Sequence, residues 1–253
     1  MNPDDVLEQL RKLGFRADRP ALEALLTHAT KGRLSPVQIL EQLCALERRE
    51  REAKNLALRT KMAALGTVPP LDRFDWSWPK QMDRSLCERL LTLEFVQQGH
   101  NVLFRGPSGV GKTTLAQNLG LEALRRGYTV RFTTLAAALA DLLRHESLPT
   151  FERHLTRYTR PELLICDELG YLPCDSRAAN ILYNIVSHRH LQRATVLTTN
   201  LPFKQWGTVF PGAACVAALI DRFVQHCYVV DIEADSWRQK ISRACSRVGL
   251  STQ

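Results

Sequence analysis

The stretch that decides the fold runs Asn101-Val102-Leu103-Phe104-Arg105-Gly106-Pro107-Ser108-Gly109-Val110-Gly111-Lys112-Thr113. Its second part, Gly106 to Thr113, is a complete GxxxxGK[ST] loop. A short apolar run, Asn101 to Phe104, leads into it, and a helix-like stretch, Thr114 to Arg125, leads out. Strand, glycine-rich loop and helix in that order form the setting in which this motif holds phosphate. The glycines let successive backbone N–H groups turn inward, and the positive end of the following helix adds to the attraction. The reading places Gly106, Pro107, Ser108, Gly109, Val110, Gly111 and Thr114 around a nucleoside triphosphate. Lys112 reaches its β- and γ-phosphates, and the Thr113 hydroxyl binds Mg2+.

Downstream, β-rich runs alternate with helical stretches. The runs are Val102–Arg105, Thr129–Thr133, Leu163–Asp167, Thr195–Thr199 and Tyr228–Ile232, and a helix over Ser85–Gln98 precedes the first. This alternation predicts an α/β fold with a five-stranded parallel sheet covered on both faces. Ligands in such sheets sit at the carboxyl ends of the strands, where the glycine-rich loop falls.

Leu163-Leu164-Ile165-Cys166-Asp167-Glu168 is an apolar strand ending in two acids. Asp167 is expected beside the phosphate loop, holding Mg2+, with Glu168 placed to polarise a water for attack on the γ-phosphate. Asn200, after Thr198-Thr199, ends the next strand and offers a neutral amide to that water and to the γ-phosphate. Two arginines flank the last strand. Arg222 is the candidate for stabilising transition-state charge from a neighbouring subunit, and Arg238 for acting on the nucleotide within its own chain.

Upstream, residues 1–65 read as an all-helical domain. Leu7, Leu10 and Leu13 form one apolar row and Leu22, Leu25 and Leu26 another, while Ile39, Leu40, Leu43 and Leu46 follow a helical period after the Ser35-Pro36 start. Beyond Leu46 the segment turns charged and carries Arg48, Arg49 and Arg51, as a solvated face or as a surface for phosphates or a partner. Residues 66–80 break the helix with prolines and carry Phe74, Trp76 and Trp78. They read as a linker to a domain over 81–253, with the aromatics packed back on that domain or, less favoured, contributing to an adenine pocket.

The net charge of +8 favours a polyanionic partner. Residues 1–80 hold 14 basic against 11 acidic side chains and the remainder 20 against 15, so the excess is spread and not a tail. Seven cysteines without CxxC spacing argue for thiols in a reducing compartment rather than disulfides or zinc. The acidic start, Met1 to Gln9, lacks the regions of a signal peptide, and no apolar run approaches the ~20 residues that cross a bilayer. A bacterial cytoplasmic protein with no membrane contact is expected.

Together these residues resemble the AAA+ ATPases and, within them, the IstB-like helper ATPases of the DnaA/DnaC/IstB branch. The likeness rests on the loop, on Asp167-Glu168-Leu169-Gly170-Tyr171-Leu172-Pro173 and on Asn200-Leu201-Pro202-Phe203 with Gln205-Trp206. Ala218-Leu219-Ile220-Asp221-Arg222 and Ser236-Trp237-Arg238 extend it. The resemblance implies an ATP- and Mg2+-dependent ATPase that binds duplex DNA without sequence preference and assembles on it as a ring or filament. Such an assembly recruits and stimulates a partner transposase. It also implies that helices inserted at about 135–160 face DNA, which singles out Arg144, Arg153, Arg157 and Arg160 with His145 and His154. The chain departs from the family at Thr114, where His is usual, and at Ala234-Asp235, where Gly is usual. The short stretch after the last strand implies a reduced or absent C-terminal lid. A DnaC-like helicase loader is the alternative, and it would prefer single strands.

Overall fold

The computed structural model describes residues 3–170 and 175–237. The stretch after Trp237, on which the expectation of a reduced lid rests, lies outside them, as do Tyr171 to Cys174. The chain divides into two compact units, Met1–Lys61 and Met62–Gln253.

The first unit is helical: α1 (Pro3–Lys12), α2 (Arg19–Gly32) and most of α3 (Pro36–Ala63). Asp18 caps α2 by accepting from the Ala21 N–H at 3.0 Å, with a proline in the first turn. Leu7, Ala17, Leu22 and Ala29 are buried. The row expected to include Leu13 stops short: α1 ends at Lys12 and Leu13 is 81% exposed. Leu40 and Leu26 also face solvent. The charged run continues α3 without a break until Ala64 turns left-handed at φ 55°.

The second unit is built on a parallel sheet. Its strands are β1 (Asn101–Arg105), β2 (Val130–Thr134), β3 (Leu163–Leu169), β4 (Ala194–Thr199) and β5 (Cys227–Asp231), in the spatial order β2-β3-β4-β1-β5. The predicted five-stranded α/β core is present. Successive residues of β3 point to opposite faces, yet Leu163 through Asp167 are all buried, because helices cover both faces. On one face α6 (Lys112–Arg125) packs Gly120 beside Ile165 and Val130. On the other, Leu164 and Cys166 meet α7 (Leu135–Leu143), α8 (Leu148–Thr159) and α9 (Ser176–Arg189), with Trp206, Phe210 and Phe223. Asn101 stitches the sheet: its side chain donates to the Phe223 carbonyl at 2.9 Å and accepts from the Thr195 N–H at 3.1 Å.

Arg189 is buried at 1% exposure. Its guanidinium donates to carbonyls at the end of α8, to Pro161 and Ala194, and to Thr195 Oγ1. Burial lowers its pKa to about 9. Cys44, Cys87, Cys166, Cys215 and Cys227 are free thiols. Burial pushes the Cys87 thiol up to about 11 and those of Cys166 and Cys227 to about 12, so they remain protonated core side chains.

The helix expected over Ser85–Gln98 is two helices, α4 (Arg84–Leu90) and α5 (Glu94–Gln97). They part at Leu93, which takes a left-handed conformation at φ 62° while its side chain is fully buried. An apolar residue in that role leaves no glycine or proline to mark the break.

Candidate nucleotide site

The loop between β1 and α6 is shaped by glycines at which any side chain would be strained. Gly106 sits at φ 159°, with a Cβ there falling 2.3 Å from the Ile232 carbonyl oxygen. Gly111 sits at φ 97°, with a Cβ 2.5 Å from the Phe74 ring. Lys112 opens α6 and lies buried, its ammonium donating to the Gly106 and Pro107 carbonyls at 2.7 and 2.6 Å. It is thus held against the loop whose inner face takes phosphate.

Because β4 is inserted between β1 and β3, three strand ends converge. The Thr113 hydroxyl donates toward Asp167 at 3.0 and 2.9 Å. The Thr198 hydroxyl, from β4, also donates to Asp167 and accepts the Glu168 N–H at 3.0 Å. Asp167 is 4% exposed, and hydroxyl and carboxylate oxygens are the donors a hard divalent cation takes.

Regular pleating would send Asp167 and Glu168 to opposite faces. The β3–β4 register shifts between Cys166 and Leu169, so that three steps on β3 match two on β4. This bulge turns Glu168 left-handed at φ 63°. Glu168 then lines the pocket while Asp167 stays buried against the loop. A left-handed non-glycine residue costs of order 1–3 kcal/mol and persists only where its surroundings enforce it.

The pocket has a volume of about 390 Å3 and is bounded by Ser108 to Thr114, Glu168, Thr198, Trp237 and, from the preceding segment, Pro69, Pro70, Arg73, Phe74, Asp75 and Trp78. Residues 66–80 form a strap rather than a free linker. Asn118 of α6 donates to the Pro69 carbonyl at 2.9 Å and Gln117 to the Leu65 carbonyl at 2.8 Å. At the other end the Lys80 N–H reaches the Glu233 carbonyl at 2.7 Å. Phe74 lies against Gly111 and edge-to-face on Trp76 at 4.9 Å. Trp78 meets Trp237 edge-to-face at 5.2 Å. Trp237 is tied to the loop by its N–H to the Gly109 carbonyl at 3.0 Å, and Trp78 Nε1 donates to the Asp235 carbonyl at 2.9 Å. The aromatics pack back on the domain, Trp76 beside Cys87, Leu91 and Phe104, and Phe74 and Trp78 in addition line the pocket.

The sequence matches the family described as IstB-like ATP binding protein over residues 8–245. The chain belongs to the IstB-like ATP-binding protein family.

This IstB-like chain is 32% identical over 222 residues to a protein described as an ATP-binding protein of insertion sequence IS21 in Pseudomonas aeruginosa, covering 88% of this chain and 84% of that one. It is 30% identical over 220 residues to a counterpart of insertion sequence IS5376 in Geobacillus stearothermophilus, covering 87% and 88%. Among solved structures, DnaI shares the fold at 19% identity and a TM-score of 0.56, over 66% of this chain and 92% of that one. AMPPCP-bound DnaA from Aquifex aeolicus does so at 22% and 0.51, over 70% and 56%. The AAA+ fold of the branch is thereby shown.

In the IstB-like site, Ser108 through Thr114, Glu168 and Thr198 come together at the pocket, with Asp167 behind them. Asn200 is exposed just past β4 and is not among the pocket-lining residues. Arg222, on the helix Val216–Val224, is also away from the lining: its guanidinium stacks on Tyr183 at 4.8 Å and donates to Ser187 Oγ at 2.5 Å. Arg238 lies outside the described residues. Arg153 and Arg157 are exposed on α8, the exposed Arg160 caps it, and Arg144 caps α7. In the first unit Arg48 and Arg49 are exposed, whereas Arg51 is paired with Glu47. Sequence reading missed Thr198, whose signal was its place one strand over from two acids. It also missed Trp237 as a pocket wall.

Proposed function

We propose that this chain is an ATP hydrolase that binds duplex DNA without sequence preference, assembles on target DNA, and recruits and stimulates a partner transposase. The observation that carries the hydrolase reading is the placement of Glu168: a strained carboxylate facing the pocket, next to a buried Asp167 that two threonine hydroxyls hold. Membership in a family whose relatives are named for insertion sequences supports the transposition role.

Thr113 and Asp167 would hold Mg2+, which would supply positive charge against that developing on the β- and γ-oxygens. Lys112 would leave the Gly106 and Pro107 carbonyls for those phosphates. Glu168 would accept a proton from the attacking water, and Asn200, exposed just past β4 and outside the pocket lining, would have to turn inward to orient that water. The strap and Trp237 would enclose the base and ribose. Arg222, held clear of its own pocket, would reach the γ-phosphate of a neighbouring subunit, which makes hydrolysis depend on assembly. Residues 1–65 would contact the transposase or DNA, with Arg48 and Arg49 among the cations that make no ion pair within the described residues. Arg144, Arg153, Arg157 and Arg160 would meet DNA phosphates.

The test is binding to matched duplex and single-stranded DNA with ATP and with ADP, titrated in salt, beside ATP turnover of Glu168→Gln. Duplex binding that needs ATP, a steep salt slope, and a Glu168→Gln protein that binds ATP but turns over about 10²–10⁴-fold more slowly are expected. A single-strand preference would replace the transposition reading with the helicase-loader one. A fully active Glu168→Gln would remove Glu168 as the base.

A further inference from the structure

The joint between α7 and α8 gathers three side chains with metal-ligand chemistry that the nucleotide site does not use. Asp141 sits in the last turn of α7, His145 follows four residues later, and His154 comes from α8. Their ligand atoms all lie within 4.8 Å of one another. His154 Nδ1 is 3.4 Å from Asp141 Oδ1 and His145 Nε2 is 3.9 Å from the same oxygen. The two imidazole rings approach to 3.7 Å between centroids. His145 Nε2 is buried and has no hydrogen-bond partner among the described residues, a state that costs free energy unless something is bound there.

The two oxygens of Asp141 divide their partners. Oδ2 accepts the Tyr158 hydroxyl at 2.8 Å and faces Arg157 at 3.5 Å. Oδ1 is left to the two imidazoles. Metal-binding carboxylates are oriented in this manner by a hydrogen bond on the oxygen that does not ligate. Burial works to raise the Asp141 pKa, but the bonds from Tyr158 and His154 and the charge of Arg157 outweigh it and hold the carboxyl below its ordinary value. An aspartate carboxylate is an anionic ligand at neutral pH.

We propose that Asp141 Oδ1, His145 Nε2 and His154 Nδ1 form a site for a zinc-class divalent cation, with water as the fourth ligand. Two imidazoles and a carboxylate are borderline donors of the kind zinc takes, and bonds of about 2.0–2.1 Å place tetrahedral ligands about 3.4 Å apart. The 3.4 Å pair already meets that spacing, and side-chain rotation closes the others. The ion would cross-link the end of α7 to α8. It is independent of nucleotide and of the reading of function above.

The experiment uses the full chain, freed of metal with a chelator and kept without nucleotide. Zn2+ is titrated against a competing chromophoric chelator, and Co2+ serves as a spectral probe. One equivalent of Zn2+ per chain is expected, with Co2+ giving d–d bands and no thiolate charge-transfer band. His145→Gln, which removes no hydrogen bond the protein makes at Nε2, should weaken binding by more than about 100-fold, and Tyr158→Phe by about 10–100-fold. His28→Gln, at an exposed position, should change nothing. The absence of saturable uptake at one equivalent would overturn the proposal. So would a thiolate charge-transfer band, or unchanged affinity in both His145→Gln and His154→Gln. Should a variant fail to fold, the Co2+ spectrum of the unaltered chain decides alone.

Discussion

The strand-end site of the second unit and the helical first unit each bury a carboxylate, and their partners differ in kind. Asp167 accepts from two threonine hydroxyls and makes no ion pair among the described residues. Glu47 accepts the backbone N–H groups of Arg16 and Ala17 at 2.7 and 3.1 Å and pairs with Arg51, which also donates to the Gly14 carbonyl at 2.9 Å. Hydroxyls can rotate and serve as donors or as ligands, so a carboxylate held only by them stays available to a cation. A carboxylate held by a guanidinium and two backbone amides is a structural tie between the α1–α2 turn and α3. Burial alone therefore does not mark a functional acid; the identity of its partners does.

Breaking the two carboxylates separately should give opposite phenotypes. Asp167→Asn is expected to slow ATP turnover at least about 100-fold while the melting midpoint of the protein holds, checked by steady-state hydrolysis and calorimetry. Thr198→Val removes the hydroxyl shared by Asp167 and the Glu168 N–H, and should cost about 10–100-fold in turnover with nucleotide affinity nearly retained. Glu47→Ala should do the reverse, destabilising the first unit by about 1–3 kcal/mol and leaving nucleotide affinity unchanged; loss of nucleotide binding would break the comparison. Acid gives the same contrast without mutation. The Glu47 carboxyl is itself pushed up by burial but held below its ordinary value by Arg51 and the two backbone amides. Its contribution is thus present above the ordinary carboxylate range and is lost as pH falls through the depressed folded-state value. Hydrogen exchange of the α1–α2 turn should rise there.

The loop, both acids and the five strands were legible because each is a local pattern: a glycine spacing, an apolar run, an alternation of periods. The strand order was not. That β4 lies between β1 and β3 is a property of crossovers, and it is what turns Thr198 from an ordinary strand residue into the bridge between Asp167 and Glu168. The bulge at Glu168 was equally hidden, since nothing in Asp167-Glu168-Leu169 forces a left-handed glutamate; the β4 register does. Phe74 and Trp78 were visible as aromatics, but their wall is completed by Trp237, well over a hundred residues away. Replacing Trp78 with alanine should weaken nucleotide affinity by about 2–10-fold, measured with a fluorescent analogue; an unchanged affinity would return the strap to a packing role.

The smallest effects come from the arginines of α3, which the sequence groups and the structure separates. Arg48 and Arg49 are exposed without an ion pair among the described residues, whereas Arg51 is committed to Glu47 and Gly14. If the first unit contacts DNA phosphates, Arg48→Ala and Arg49→Ala should each lower the slope of log affinity against log salt by about 1, with melting unchanged. Arg51→Ala should leave that slope intact and instead loosen the α1–α2 turn, because Glu47 then keeps its backbone bonds but loses its cation. A slope change in Arg51→Ala equal to that of Arg48→Ala would mean that the guanidinium leaves Glu47 on DNA, and the distinction between a structural and an available partner would fail at that residue.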